Sequence, residues 1–366
     1  MDNKITKKRF ANMWAYDWIK MLGVLVAVIL LWVLLFDMLA PRLRAGQDFS
    51  VFMYYSVGGN ASDKLYDEME SKEVLSYDVL KLTVSTFEEK YIGQLMSTRA
   101  STHEGDILIL DRNTSKTEVT LDGEEKKEVI SGNYQAVVDN YSIYDIDELI
   151  KDALYYYASF TVKYADGKES IADVASLVAE LKADGDDVQL DGDTVYAKFK
   201  ARKKKDNAYK TKTQYENGAK KDAERLEKLK SDALRVYDVL NRLDGIYTFE
   251  NNPIRANYRK YEITYYSDPS DEDYKKAYER SELKTYGIDL GGIDAIETDG
   301  ENVYRENRRV GEDYKIRKDI YGDIPAKSSG ADGVVVCVFD YKKYQPDLQY
   351  ETVGFLRYIF DTYTTL

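Results

Sequence analysis

The 366-residue chain holds one histidine, His103, and one cysteine, Cys337. Multi-histidine metal sites, thiolate zinc sites and a disulfide framework are therefore excluded, and little remains for histidine-based proton transfer. His103 stands in a loop before Glu104-Gly105, and Cys337 lies in an apolar strand where a small buried hydrophobe is expected. Carboxylates are plentiful, 65 in all, and Asp106 and Asp111 flank the apolar run ILIL. Paired acids could do acid–base work, but solvated strand-end acids are the simpler reading. Asp184-Gly185-Asp186-Asp187 and Asp191-Gly192-Asp193 resemble a calcium loop at first sight. An EF-hand would need an acid or asparagine at Val188 and glycine at Gln189, so two acidic turns around a hairpin strand are expected instead. Ser281 and Lys284 form an S-x-x-K without its companion motifs, and nucleophile elbows, Walker loops and dinucleotide glycine fingerprints are missing. No catalytic activity, metal or cofactor is expected.

Two other residue classes point to binding. There are 33 tyrosines, including Tyr54-Tyr55, Tyr155-Tyr156-Tyr157, Tyr265-Tyr266 and Tyr286. Tyrosine offers a flat apolar body and a polar tip, suited to stacking on a ligand, although most of them are expected to pad a water-facing surface. Residues 198–221 carry ten basic side chains, with the run Arg202-Lys203-Lys204-Lys205, against Asp206 and Glu216 alone. Such a stretch is a solvated helix face or a contact for anionic lipid or an anionic wall polymer.

The elements that must position these residues begin with an apolar run. Residues 21–40 start MLGVLVAVILLWVLLF and carry a single charge, Asp37, near one end. At about 1.5 Å per residue, twenty helical residues span about 30 Å, the thickness of a bilayer core. Trp14, Trp18, Lys20 and Trp32 are the expected interfacial anchors. Basic residues concentrate before the run, at Lys4, Lys7, Lys8, Arg9 and Lys20, which predicts a cytoplasmic N-terminus (1–20), a transmembrane signal anchor (21–40) and an extracytoplasmic remainder. Pro41 after Ala40 and Leu43 before Ala45 make signal cleavage a poor alternative. The formal charge of −13 divides accordingly: residues 1–44 have seven basic and three acidic groups, leaving 45 basic and 62 acidic, or −17, beyond them. That balance argues against nucleic-acid binding.

Beyond the run, DFSVFMYYS, SYDVLKLTVSTF and GDILILD read as strands separated by helical SDKLYDEMESKEV and FEEKYIGQLMSTRAS, a βαβαβ pattern that calls for a mainly parallel sheet. Hairpins are predicted at Asp122-Gly123 and Asp191-Gly192. Helices are predicted over 145–160, 168–182, 205–243 (long and highly charged) and 271–280. Further strands KYEITYYS, LKTYGIDL and GVVVCVFD precede a final helix, YETVGFLRYIFDTY. The expected fold class is α/β: residues 45–141 and 283–366 form one lobe and residues 142–282 a helix-rich second lobe, with a crevice between them.

VFMYYS, YIGQLMSTRASTHEGDILILD, YDIDELI, KTYGIDL and GVVVCVFDYKKYQPDLQYETVGFLRYI together resemble the extracytoplasmic solute-binding proteins served by ABC transporters. KKRFANMWAYDWIKMLGVLVAV resembles the anchors of small membrane proteins of Gram-positive-type bacteria. The resemblance implies a two-lobed, periplasmic-binding-protein-like domain that captures a small polar ligand, sugar or peptide-like, for permease subunits. Tyr54, Tyr55, Ser56, Asp111 and Tyr286 are then expected to line the crevice, the tyrosines by stacking and Asp111 by accepting hydrogen bonds. The alternative is an envelope interaction or scaffold module that keeps the fold without the ligand.

Overall fold

The computed structural model describes residues 6–7, 18–20, 22–33, 47–54, 67–72, 74–75, 79–88, 91–102, 104–119, 125–131, 133–241, 248–252, 254–260, 282–290 and 334–363. Residues 1–44 and 45–366 form two units. In the first, residues 18–20 and 22–33 are helical, and the side chains of Trp18, Leu25, Val28, Leu31 and Trp32 are all exposed. Lys20 is exposed as well, and Trp14 lies outside the described residues. Among the described residues no helix is long and apolar enough to cross a membrane, so they do not support the span expected over 21–40. Residues 22–33 reach only about 18 Å as a helix; Met21 and residues 34–40 of the expected span are not described.

The second unit is built on a six-stranded sheet. In chain order its elements are β1 (Asp48–Tyr54), β2 (Lys81–Phe87), α1 (Ile92–Thr102), β3 (Ile107–Asp111), β4 (Asn113–Val119), β5 (Glu125–Ser131), α2 (Asn133–Asn140), α3 (Ile146–Ala158), α4 (Val174–Ala183), α5 (Gly192–Arg202), α6 (Lys212–Asn241), β6 (Arg255–Arg259), β7 (Leu283–Asp289), β8 (Val334–Val338) and α7 (Tyr350–Tyr363). The strand order is β2-β1-β3-β8-β7-β6. β1 runs parallel to β2 and to β3, as the βαβαβ pattern predicts, because each link has the length a crossover needs. The other three pairings, β3–β8, β8–β7 and β7–β6, are antiparallel, so the mainly parallel sheet is corrected to a mixed one. β4 and β5 pair in the expected hairpin, whose turn is outside the described residues, as is the helix predicted over 271–280.

β8 is apolar and buried throughout, and β3 is so from Ile107 to Leu110 up to its terminal Asp111, because helices cover both faces of the sheet. On one face Phe52, Leu108, Leu110, Val335 and Cys337 meet Met96 of α1 and Tyr134, Val137 and Val138 of α2. On the other, Val51, Ile107, Ile109, Val336 and Val338 share a core with Leu149 and Leu154 of α3, Leu229 and Val236 of α6 and Phe355 of α7. That core reaches on to Leu177 of α4 and Phe199 of α5. A helix-rich second lobe is expected over 142–282; its described helices α3 to α6 share one core with the sheet, and residues 45–366 cluster as one unit.

Acids start and stop these helices. Asp145, Asp173 and Asp191 cap α3, α4 and α5 with their side chains. Asp191-Gly192 is therefore a helix start and not a hairpin turn: Asp191 accepts hydrogen bonds from the Asp193 N–H and, at 2.6 Å, from the Thr194 hydroxyl. Asp184 ends α4 in the left-handed region, at φ 52°. The tyrosines also do more than pad a surface. Tyr134, Tyr144, Tyr157, Tyr164, Tyr350 and Tyr358 are buried. Four of them send the hydroxyl to a carboxylate, as Tyr157 does to Glu227 at 2.8 Å and Tyr144 to Asp152 at 2.6 Å. A buried tyrosine needs such a partner at its polar end.

Candidate functional site

The polar feature that stands out in the second unit lies where α3 begins. Asp145 has an extended backbone and accepts the Asp147 N–H at 3.2 Å; Asp147 and Glu148 follow in the first turn. Three carboxylates sit at the positive end of one helix dipole, which favours negative charge there. They line an open cleft of about 450 Å³. Lys151 of α3, Tyr237, Leu240 and Asn241 from the end of α6, Phe249, and Glu282, Leu283 and Lys284 at the start of β7 complete most of its wall.

The arrangement is anchored from below by Arg255 in β6, which is 4% exposed. Its guanidinium pairs with Asp147 and donates to Thr285 Oγ1 at 2.9 Å and Asn241 Oδ1 at 3.3 Å. Its face rests 4.9 Å from the Phe249 ring centroid. The Thr285 hydroxyl donates to Asp147 at 2.8 Å. Thr285 faces α3 and Tyr286 faces α2 because successive side chains of a strand point to opposite faces of the sheet. Gly287 permits the close approach, since a Cβ there would lie 2.5 Å from Val335 Cγ1.

The carboxyls of this one turn differ in protonation. Burial, and then repulsion from Asp147, push Asp145 up to about 6. The hydrogen bond from Lys343, 2.7 Å long, holds Glu148 below the usual carboxylate range. The cleft can thus store a proton at Asp145 while Glu148 stays ionised, the asymmetry that acid–base chemistry uses. Four acids and two lysines line it, Arg255 and Lys343 pair with Asp147 and Glu148 from outside the lining, and Tyr237 and Phe249 offer aromatic faces, so it suits a zwitterion or a small polar ligand with a cationic group. Among the described residues no group of three His, Cys, Asp or Glu is arranged to hold a metal ion.

The residues expected to bind stand elsewhere. Tyr54 ends β1, paired through its backbone with Phe87; its side chain, Tyr55 and Ser56 lie outside the described residues. Asp111 ends β3 opposite Val334, half-buried. The cleft's helix starts near the other end of β3: Ile107 pairs with Val338, whose carbonyl accepts the Tyr144 N–H at 2.8 Å. Tyr286 is half-buried against the α1 and α2 side of the core. Burial first, then the charges of Asp145, Glu148 and Glu282, push its hydroxyl up to about 12, so Tyr286 lies within electrostatic reach of the cleft without lining it. Asp106 is not a solvated strand-end acid. It is 3% exposed, accepts the Ser50 N–H at 2.9 Å and pairs with Lys342. Desolvation pushes it up to about 6. Cys337 is buried, as its apolar strand predicts, and burial pushes its thiol up. His103 and Ser281 lie outside the described residues, whereas Lys284 lines the cleft. Tyr156 packs edge-on against Phe160 and Tyr350, inside the helical layer.

Of the basic run, Arg202 turns inward to pair with Asp222, with Asp347 at 3.7 Å. Lys204 and Lys205 are exposed and Lys203 half-buried. Sequence reasoning missed the cleft because Asp145, Asp147 and Glu148 read simply as the start of the helix predicted over 145–160. The signal was there, three acids in four positions before an amphipathic helix, but what faces them comes from α6, β6 and β7. No family model matches the chain, no curated protein or solved structure is similar to it, and nothing in these comparisons identifies a solute-binding family.

Proposed function

We propose that the chain is a membrane-anchored extracytoplasmic binding protein, non-catalytic, that takes a small polar ligand with a cationic group into the α3 cleft. The observation that carries this reading is the cleft itself: about 450 Å³, with four acids, two lysines and aromatic faces in its lining and a carboxylate locked from beneath by Arg255. Anchoring is supported by the apolar run 21–40 and by the apolar side chains that residues 22–33 expose. The excess of basic residues before the run supports a cytoplasmic N-terminus. A membrane-tethered receptor of this kind would hand its ligand to permease subunits of an ABC transporter.

The test is calorimetry on the full chain in detergent with amino acids, polyamines, short peptides and sugars. Cationic members should give heat. Asp145→Asn, which keeps a capping side chain but removes the charge, should weaken binding at pH 8 by roughly tenfold or more. Absence of heat from every cationic member, or binding indifferent to Asp145→Asn, would sink the reading. A second reading, an interaction or scaffold module, is favoured by one observation: both sheet faces are covered by helices within one core, which leaves no hinge between lobes. Co-purification with permease subunits without ligand would support it.

A further inference from the structure

We infer that the corner joining α5 to α6 is a docking surface for anionic lipid headgroups. Residues 198–221 place ten basic groups against two acids, within a region, 45–366, whose formal charge is −17. The fold sorts eight of these ten. Lys198 donates to the Ser159 carbonyl at 2.6 Å and lies over Phe160, and Arg202 pairs with Asp222. Lys200, Lys204, Lys205, Lys210, Lys212 and Lys220 are exposed. Among the described residues, Lys204, Lys205, Lys210 and Lys220 make no ion pair, and Lys212 has only Glu216 at 3.6 Å.

The corner needs no help from these lysines to hold its shape. The rings of Phe199 and Tyr209 meet edge to face at 5.1 Å, with Tyr215 5.7 Å from Tyr209. Gly218 lets them settle on α6, since a Cβ there would stand 2.5 Å from Phe199. Gln214 Oε1 accepts the N–H groups of Lys210 and Thr211 at 2.8 and 2.9 Å, and Asp206 accepts that of Ala208. A backbone held by these contacts thus presents Lys204, Lys205, Lys210 and Lys220, which make no ion pair among the described residues.

Lysines are point charges on flexible stems, suited to a diffuse anionic surface more than to bidentate capture of one phosphate. The corner exposes no large hydrophobic side chain, so it fits adsorption to headgroups and not insertion. A lipid surface is favoured over a soluble polyanion because the same chain carries the apolar run 21–40; in that respect the inference rests on the anchoring proposed above. Each lysine near an anionic membrane strengthens attachment by up to about fivefold, and the attraction fades beyond about a Debye length, which added salt shortens.

The experiment is amine labelling with mass spectrometry on the full chain, with vesicles of phosphatidylcholine alone or with about one-third phosphatidylglycerol. Lys204, Lys205, Lys210 and Lys220 should be protected several-fold by the anionic vesicles only, and exposed again at high salt, with Lys182 of α4 as the unaffected reference. Replacing those four by glutamine should also deprotect Lys200 and Lys212. Equal labelling with both vesicle types, or protection by soluble polyphosphate and not by anionic vesicles, overturns the inference. Flotation with neutral vesicles tests the anchor separately. Its loss alongside intact protection breaks the anchor reading alone, and flotation without any change in labelling breaks this inference alone.

Discussion

The two parts of α6 put the same residue types to opposite uses. From Lys212 to Lys221 its lysines face solvent around the corner with α5. From Asp222 onward most of its charges are paired, three of them, Arg225, Asp232 and Arg235, with α7. Asp222 holds Arg202; Arg225 pairs with Glu351 at 2.9 Å, both buried, and lies 4.1 Å from the Tyr350 ring centroid. Asp232 receives Lys228 at 2.7 Å and Arg357 at 3.1 Å, and Asp361 receives Arg235 at 2.9 Å. Gly354 of α7 makes room, since a Cβ there would lie 3.2 Å from both Asp232 and Lys228. The difference lies in what stands opposite. A charge taken out of water must find its counter-charge, whereas one left in water costs nothing and stays available to a partner.

The strongest way to break this contrast is to remove one partner from the buried half. Glu351→Gln leaves the Arg225 charge buried and should destabilise by about 3–5 kcal/mol in urea unfolding, while the lysine-to-glutamine changes at the corner stay within about 0.5 kcal/mol. Equal effects would mean that the two halves do not differ. Proton titration sharpens the same distinction. Burial raises Asp106 from its ordinary 3.8 to about 6 and moves Asp222 upward too, so the native state holds extra protons between these values. The contribution of Asp106 to stability is complete below about pH 4 and is lost as the pH rises through about 6. Comparing the chain with Asp106→Asn across this window should show a difference of at most about 3 kcal/mol; parallel pH profiles would refute it. The smallest effect is expected at the junction of the two halves. Gly218→Ala drives a methyl into Phe199 and Tyr209, and the overpacking, partly offset by better helix propensity, should cost about 1 kcal/mol in thermal unfolding.

Much of the fold is legible locally. β1, β2, β3, β7, β8, the long α6 and the final α7 stand where alternation, apolar runs and periodicity place them. The Asp191-Gly192 dipeptide misled because the same pair serves a tight hairpin and a capped helix start; Thr194, whose hydroxyl reaches Asp191, is the residue that tips it to a helix. Tyrosine abundance misled in another way, because a phenol is equally at home on a surface or in a core that supplies a carboxylate for its hydroxyl. Asp106 looked like solvent-facing punctuation, but the lysine that draws it inside, Lys342, lies 236 residues along the chain.

By itself the sequence determined the periodic elements, the capping acids, the apolar run 21–40 and the uneven distribution of charge, since all of these depend on neighbours within a few positions. Only the tertiary structure decided that the sheet is mixed, that the middle helices share its core, and which charges pair. It alone brought Asp145, Asp147 and Glu148 against Arg255, Lys284 and the end of α6. Electrostatic partners are chosen by distance in space, and burial sets their protonation; neither can be read from spacing along the chain.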